Sequence, residues 1–157
     1  MPLAPDAAAE RLATGATWSE GPLWVPELDE VWWSDIKGNR ILAWSLSTGR
    51  MRVAVPDAEY ANGRTRTRDG RIVQCSHGRR AVEVLDLDGT TRTLVDRAGG
   101  VRLNSPNDVV ERSDGSIWFT DPNYGLTSPG EGHPGGEEEY GGRYVFRLDP
   151  SGALSAT

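Results

Sequence analysis

A pattern that occurs three times restricts the fold more than any other feature of the sequence. Each copy begins with a polar residue, here called a head residue, followed by a short strand-like run, an acidic turn and an apolar run. The head residues are Glu20, Asn62 and Asn107, so successive copies are spaced by 42 and 45 residues. Repeats of roughly 40–45 residues that each contain several short strands are typical of β-propellers.

Each repeat also contains a second pair of strand-like runs joined by a tight turn with glycine, at residues 40–55, 81–95 and 143–155. A glycine in such a turn can adopt the positive φ that a tight hairpin needs. Two hairpins per repeat supply the four strands of one propeller blade. The sequence therefore predicts an all-β fold of three four-stranded blades, with innermost strands near residues 20–25, 62–67 and 107–112. No convincing amphipathic helix is predicted, although residues 5–14 could form one weak helical turn.

The number of blades has a consequence for the edges of the structure. A propeller needs at least about four blades to close, and an arc leaves two open edges whose unpaired backbone groups favour pairing with another chain. We therefore expect residues 1–157 to form one domain, a partial β-propeller that is the N-terminal half of a longer protein and self-associates through its open edges. Assembly of two such halves into one ring is the alternative.

Composition and charge exclude some classes of partner. The formal net charge of −6 disfavours nucleic acid and anionic membrane surfaces. No apolar run is long enough to span a membrane. The first residues lack the basic and apolar regions of a secretory signal, so we expect a cytoplasmic protein. The single cysteine, Cys75, excludes an intramolecular disulfide and is expected to be a small buried residue on the inward side of a strand.

The head residues are candidates for binding a metal ion. Residues at the start of the innermost strand of a blade point toward the central channel, so Glu20, Asn62 and Asn107 would meet there. One carboxylate and two amide oxygens form an all-oxygen set that suits a hard cation such as Ca²⁺ and not Zn²⁺. For each asparagine the alternative is structural, because its side chain often bonds the backbone of a turn.

Seven motifs follow one another between Trp18 and Pro150. They are Glu20-Gly-Pro-Leu-Trp, Trp33-Ser-Asp-Ile, Asn39-Arg-Ile-Leu, Asn62-Gly, Leu103-Asn-Ser-Pro-Asn-Asp-Val-Val, Asp114-Gly-Ser-Ile-Trp-Phe-Thr-Asp-Pro and Tyr124-Gly. In their order and spacing they resemble the gluconolactonase branch of the SMP-30/gluconolactonase/LRE-like family. The resemblance implies half of a six-bladed propeller with a divalent metal, often Ca²⁺, in its channel. It also implies that Glu20 is a metal ligand and that Asn107 is a ligand or lies next to the metal. Two further ligands, an Asn and an Asp, would come from later blades.

Three residues are candidates for contact with a substrate. We expect Asn62, His77 and Asp121 to contact substrate. His77 follows an inner strand and could bond a sugar hydroxyl, although a loop histidine without substrate contact is the alternative. Asp121 could face substrate or open the turn at residues 121–123. The Gly- and Glu-rich stretch of residues 125–142 is a long loop of the kind that is often either functional or disordered.

The implied activity is metal-dependent hydrolysis of a sugar lactone such as gluconolactone. A bound cation stabilises the charge that develops on the lactone carbonyl oxygen and lowers the pKa of a bound water. The general base is unknown and is expected in the later blades, so the isolated chain should be weakly active or inactive. The alternatives are a non-catalytic propeller fragment that acts as a binding scaffold and a phosphotriesterase-like hydrolase that uses the same metal chemistry.

Overall fold

The computed structural model describes residues 6–157, which form three four-stranded antiparallel sheets and one two-stranded sheet. The first blade contains β1 (Ser19–Val25), β2 (Glu30–Asp35), β3 (Arg40–Ser45) and β4 (Arg50–Pro56). The second contains β5 (Ala61–Arg66), β6 (Ile72–Ser76), β7 (Ala81–Leu85) and β8 (Thr91–Val95). A small hairpin of β9 (Arg97–Ala98) and β10 (Val101–Arg102) leads to the third blade. That blade contains β11 (Val109–Glu111), β12 (Ile117–Asp121), β13 (Tyr144–Leu148) and β14 (Leu154–Ala156).

Strand order within each blade follows the chain, so every blade is an antiparallel meander. This confirms the predicted all-β propeller architecture and its three innermost strands, the last of which is shorter than predicted. The predicted hairpin turns are also present, with Gly89 and Gly152 both at φ 90°. A side chain at either position would be strained, whereas glycine is not.

Helix is confined to one turn in the part of the chain that the structure describes. Helix α1 spans Tyr124–Thr127, at the start of the Gly- and Glu-rich loop. The helical turn considered for residues 5–14 does not form within residues 6–14, and Pro5 lies outside the described residues. No helix in residues 6–157 has the length and apolar character needed to cross a bilayer.

Two apolar cores lie between the blades, because neighbouring residues of a strand point to opposite faces of the sheet. The core between the first and second blades includes Trp32, Ile41 and Leu85. The core between the second and third includes Val73 and the stacked pair Phe119 and Phe146, whose ring centroids are 5.4 Å apart. The second blade is therefore covered on both faces, and all residues of β6 and β7 are buried. Cys75 is fully buried in the second core, as predicted.

The outward faces of the first and third blades remain uncovered in the arc. Trp24 and Val53 are exposed on the first blade, and Val110 and Val145 are exposed on the third. Their strand neighbours point into the cores between blades, so these four side chains lie on the opposite faces. Each terminal blade thus presents an apolar face where a further blade of a ring would pack.

Candidate functional site

The three head residues meet because the inner strands of the blades approach one another closely at this point. A Cβ atom added to Gly21 would lie 2.5 Å from the carbonyl oxygen of Asn62, and one added to Gly63 would lie 2.8 Å from the carbonyl oxygen of Asn107. The backbone N–H of Gly63 also donates a 2.8 Å hydrogen bond to that oxygen of Asn107. Glycine after the first two head residues therefore permits the close approach.

Glu20, Asn62 and Asn107 line one cavity of about 380 Å³. The remaining lining residues are Trp18, Ile36, Tyr124, Ser128 and Glu131. All three head residues also border a second cavity of about 360 Å³ that continues along the inner strands. The structure thus brings the two predicted metal residues, Glu20 and Asn107, to the same wall, together with Asn62. Metal binding by these residues remains a prediction.

His77 lies directly behind the asparagine head residues and is 1% exposed. Its Nε2 atom is 3.1 Å from Nδ2 of Asn62 and 3.4 Å from Nδ2 of Asn107. Its Nδ1 atom is 2.8 Å from the backbone oxygen of Glu131. Burial lowers the pKa of His77, which favours the neutral ring. Because both ring nitrogens have protein partners, the structure does not favour the expected bond from His77 to a sugar hydroxyl.

Arg64 joins the first two blades beneath the head residues. Its Nη1 donates to the carbonyl oxygen of Gly21 at 3.0 Å, and its Nη2 donates to Oγ of Ser34 at 2.5 Å. That hydroxyl in turn donates to the carbonyl oxygen of Asn62 at 2.8 Å. No carboxylate within residues 6–157 pairs with Arg64, and burial lowers the pKa of its guanidinium to about 10. Sequence reasoning missed this residue, since its partners are a backbone oxygen and a serine hydroxyl of a neighbouring blade.

Asp121 holds the segment that leads into the inner strand of the third blade and does not line the cavity. Its side chain is fully buried, and its two oxygens accept 2.8 Å hydrogen bonds from the backbone N–H groups of Asn104 and Ser105. Burial raises the pKa of Asp121 to about 6. Asp35 holds the same position in the first blade and accepts from Thr17 and Trp18, at 2.8 and 3.0 Å. The carboxylate of Asp121 thus has a structural role, which differs both from the expected substrate contact and from the opening of the turn at residues 121–123.

The Gly- and Glu-rich loop closes one side of the cavity. Ser128 and Glu131 of this loop, together with Tyr124 just before it, contribute to the cavity lining. Gly125 packs so tightly that an added Cβ would lie 2.8 Å from Cβ of His77 and 2.9 Å from Cβ of Ser105. The loop is thus held against the site by a glycine contact and by the bond between His77 and Glu131.

Carboxylates, histidines and cysteines alone do not form a metal site here. Across residues 6–157, no three His, Cys, Asp or Glu side chains are grouped closely enough to hold a metal ion. Any cation at the head residues would therefore need the amide oxygens of the asparagines in addition to Glu20.

The sequence of residues 18–157 matches the family described as SMP-30/Gluconolactonase/LRE-like region. The chain belongs to this family. It is 34% identical over 160 residues to a gluconolactonase of Zymomonas mobilis subsp. mobilis, covering 92% of this chain and 44% of that protein. The resemblance in the sequence motifs is thereby confirmed.

Two solved structures extend the family assignment to three dimensions. A structural-genomics target provisionally assigned as a gluconolactonase has a TM-score of 0.90 and 43% identity, covering 98% of this chain and 52% of that one. A gluconolactonase of Xanthomonas campestris has a TM-score of 0.85 and 42% identity, covering 93% and 49% of the two chains. The chain spans about half the length of the relatives that it matches.

Proposed function

We propose that this chain is part of a metal-dependent hydrolase of sugar lactones, in which Glu20 and Asn107 hold a divalent cation and Asn62 lies beside it. The observation that carries the proposal is the presence of all three head residues on one cavity wall. The gluconolactonase of Xanthomonas campestris, at 42% identity, supports the choice of a lactone substrate.

The chemistry of the cavity wall fits Ca²⁺ better than a softer metal. Glu20 supplies a carboxylate oxygen and Asn107 an amide oxygen, with the amide of Asn62 beside them, and oxygens of these kinds are the donors that Ca²⁺ prefers. The nearest imidazole, His77, has both nitrogens engaged by protein atoms, and the cysteine is buried in the core between blades. Ca²⁺ takes about six to eight oxygens. The head residues fill only part of such a shell and leave positions for water, substrate oxygens or residues of a longer chain.

Lactone hydrolysis breaks the ring C–O bond of a cyclic ester and yields a hydroxy acid. Negative charge develops on the carbonyl oxygen when water attacks, and a bound divalent cation would supply positive charge to stabilise that oxygen. The negative charge of Glu20 would retain the cation, while Asn62 would bond a sugar hydroxyl. We assign no general base to residues 6–157.

Aromatic rings at the cavity suit a sugar substrate. Trp18 and Tyr124 line the cavity and are 47% and 48% exposed, so each presents a face or edge to a ligand. The ammonium of Lys37 lies 4.6 Å from the centroid of the Trp18 ring, where a cation–π contact would hold the indole in place. The flat apolar faces of a sugar ring would pack against such rings, while its hydroxyls would meet Asn62 and Glu131.

A second candidate function is binding without catalysis. It is favoured by the composition of the site, since no general base is assigned within residues 6–157 and no three His, Cys, Asp or Glu side chains are grouped there around a cation. A three-bladed arc with part of a cation site would bind a sugar lactone or its hydroxy acid without completing hydrolysis.

The test combines calorimetry with an assay for acid release. Isothermal titration with Ca²⁺ should give weaker binding for Glu20→Gln than for the unmodified chain by at least about tenfold, because loss of even an outer-shell partner costs about 10–100-fold in metal affinity. Glu137→Gln is the matched control, since Glu137 is an exposed carboxylate in the loop and does not line the cavity. Equal Ca²⁺ affinity in Glu20→Gln and the unmodified chain would contradict the metal site.

Acid release from gluconolactone then separates the two candidate functions. Hydrolysis that depends on Ca²⁺ and falls in Glu20→Gln supports the enzyme. Binding of Ca²⁺ and gluconolactone without acid release above the spontaneous rate supports the binding scaffold for this chain.

A further inference from the structure

His77 is a buried histidine in contact with two of the three head residues. His77 reaches Asn62 and Asn107 from behind the cavity wall through the same ring nitrogen, Nε2. Its other ring nitrogen reaches the backbone oxygen of Glu131. These three contacts are enough to assign the proton of the ring.

A carbonyl oxygen can only accept a hydrogen bond, so Nδ1 of His77 must carry the proton that it donates to Glu131. A neutral imidazole with its proton on Nδ1 has a lone pair on Nε2. Nε2 is then an acceptor with one lone pair, and the structure turns Nδ2 of both asparagines toward it, at 3.1 and 3.4 Å. An amide turned the other way would place two acceptors against each other.

The oxygen side of each amide must therefore face away from His77. No group within the described residues donates to Oδ1 of Asn62 or of Asn107, and neither oxygen is sealed from solvent. Both residues line the cavity that Glu20 also lines. The two amide oxygens are thus free to bind a ligand from the cavity.

We infer that His77 is a positioning residue whose Nε2 acceptor orients both amides so that the oxygens of Asn62 and Asn107 face the cavity. The identity of the ligand as a hard cation rests on the proposed function. The orientation of the two amides does not depend on a bound ligand. The loop reinforces the arrangement, because Glu131 fixes Nδ1 and Gly125 packs directly on Cβ of His77.

Two substitutions at His77 separate positioning of the amides from anchoring of the loop. In His77→Gln the side-chain oxygen reaches about as far as Nε2 and retains an acceptor for the amides. In His77→Asn the side-chain N–H lies near the former Nδ1 and retains the bond to Glu131, but the acceptor for the amides is lost. Calorimetry with Ca²⁺ should show affinity within about threefold of the unmodified chain for His77→Gln. For His77→Asn it should show a loss of about 10–100-fold, as is usual when a residue that orients the direct ligands of a metal is replaced.

Nuclear magnetic resonance without metal tests the same inference independently. The chain has two histidines, and His133→Gln removes the exposed one, which contacts Glu59 and not the head residues. Long-range ¹H–¹⁵N spectra of His133→Gln should show His77 as the neutral ring with its proton on Nδ1. The side-chain amide protons of Asn62 and Asn107 should show hydrogen-bonded shifts, which His77→Asn abolishes and His77→Gln preserves.

The calorimetry and the spectra together distinguish an error in the role of His77 from an error in the proposed cation. A proton on Nε2, or equal Ca²⁺ affinities for His77→Gln and His77→Asn in a chain that binds Ca²⁺, would overturn the role of His77. Absence of Ca²⁺ binding in the unmodified chain, with the spectra as expected, would overturn the proposed cation and leave the orientation of the amides in place.

Discussion

The contact between inner strands at Gly63 allows a quantitative prediction. A Cβ atom at this position would lie 2.8 Å from the carbonyl oxygen of Asn107 and 2.8 Å from Cα of Asp108. Both are backbone atoms, so Gly63→Ala forces the second and third blades apart. Overpacking of this kind costs about 1–3 kcal/mol, and loss of the hydrogen bond from Gly63 to Asn107 adds about 0.5–1.5 kcal/mol. We expect the free energy of unfolding to fall by about 1.5–4.5 kcal/mol.

Gly49→Ala is the matched control for this substitution. Gly49 has a φ of 63° and no atom within 4 Å of an added Cβ, so alanine there meets conformational strain alone. That strain is roughly 1–2 kcal/mol. Unfolding by denaturant, followed by the fluorescence of the six tryptophans, should therefore show a larger loss for Gly63→Ala than for Gly49→Ala. Only Gly63→Ala should also weaken Ca²⁺ binding, because it moves Asn107 away from Asn62. Equal stability losses together with unchanged Ca²⁺ affinity in both variants would refute the reasoning.

Two further predictions concern pH and association. The pKa of Asp121 rises from 3.8 to about 6 on folding, so protonation stabilises the fold at low pH and this contribution is lost between about pH 4 and pH 6. The difference in unfolding free energy between the unmodified chain and Asp121→Asn should change by about 3 kcal/mol over that range, and a constant difference would contradict the raised pKa. The exposed apolar faces at Trp24 and Val110 should make the chain self-associate in sedimentation experiments. Val110→Lys should reduce that association, whereas a monodisperse unmodified chain would show that the arc is stable alone.

The blades could be predicted from the sequence because their signals are local. A head residue, a glycine turn and an alternating run each lie within a few residues, and their repetition sets the order of the strands. Convergence of Glu20, Asn62 and Asn107 followed from the equivalent positions of these residues in successive repeats. The close approach of the inner strands at Gly21 and Gly63 was not evident, since it depends on the contact between blades.

The hydrogen bonds behind the site could not be predicted, because they join residues that are distant in the chain. His77 meets asparagines of two different blades, and Arg64 reaches back to the first blade. The role of Asp121 could have been predicted, because the sequence has an aspartate, Asp35, at the equivalent position of the first blade. Asp35 ends the second strand of the first blade as Asp121 ends that of the third. A residue repeated at that position is better explained by the segment before the inner strand, which it holds in both blades, than by one substrate.

The complete burial of β6 and β7 implies an uneven resistance to local opening along the chain. Each blade of a repeat protein is stabilised by its neighbours, and a blade with a neighbour on each side opens last. Amide protons of the second blade should therefore exchange with solvent most slowly, while the first and third blades open independently at the two ends of the arc. Glu20 belongs to one terminal blade and Asn107 to the other. A ligand that holds both would bridge the two ends across the second blade and so make the opening of the whole arc cooperative.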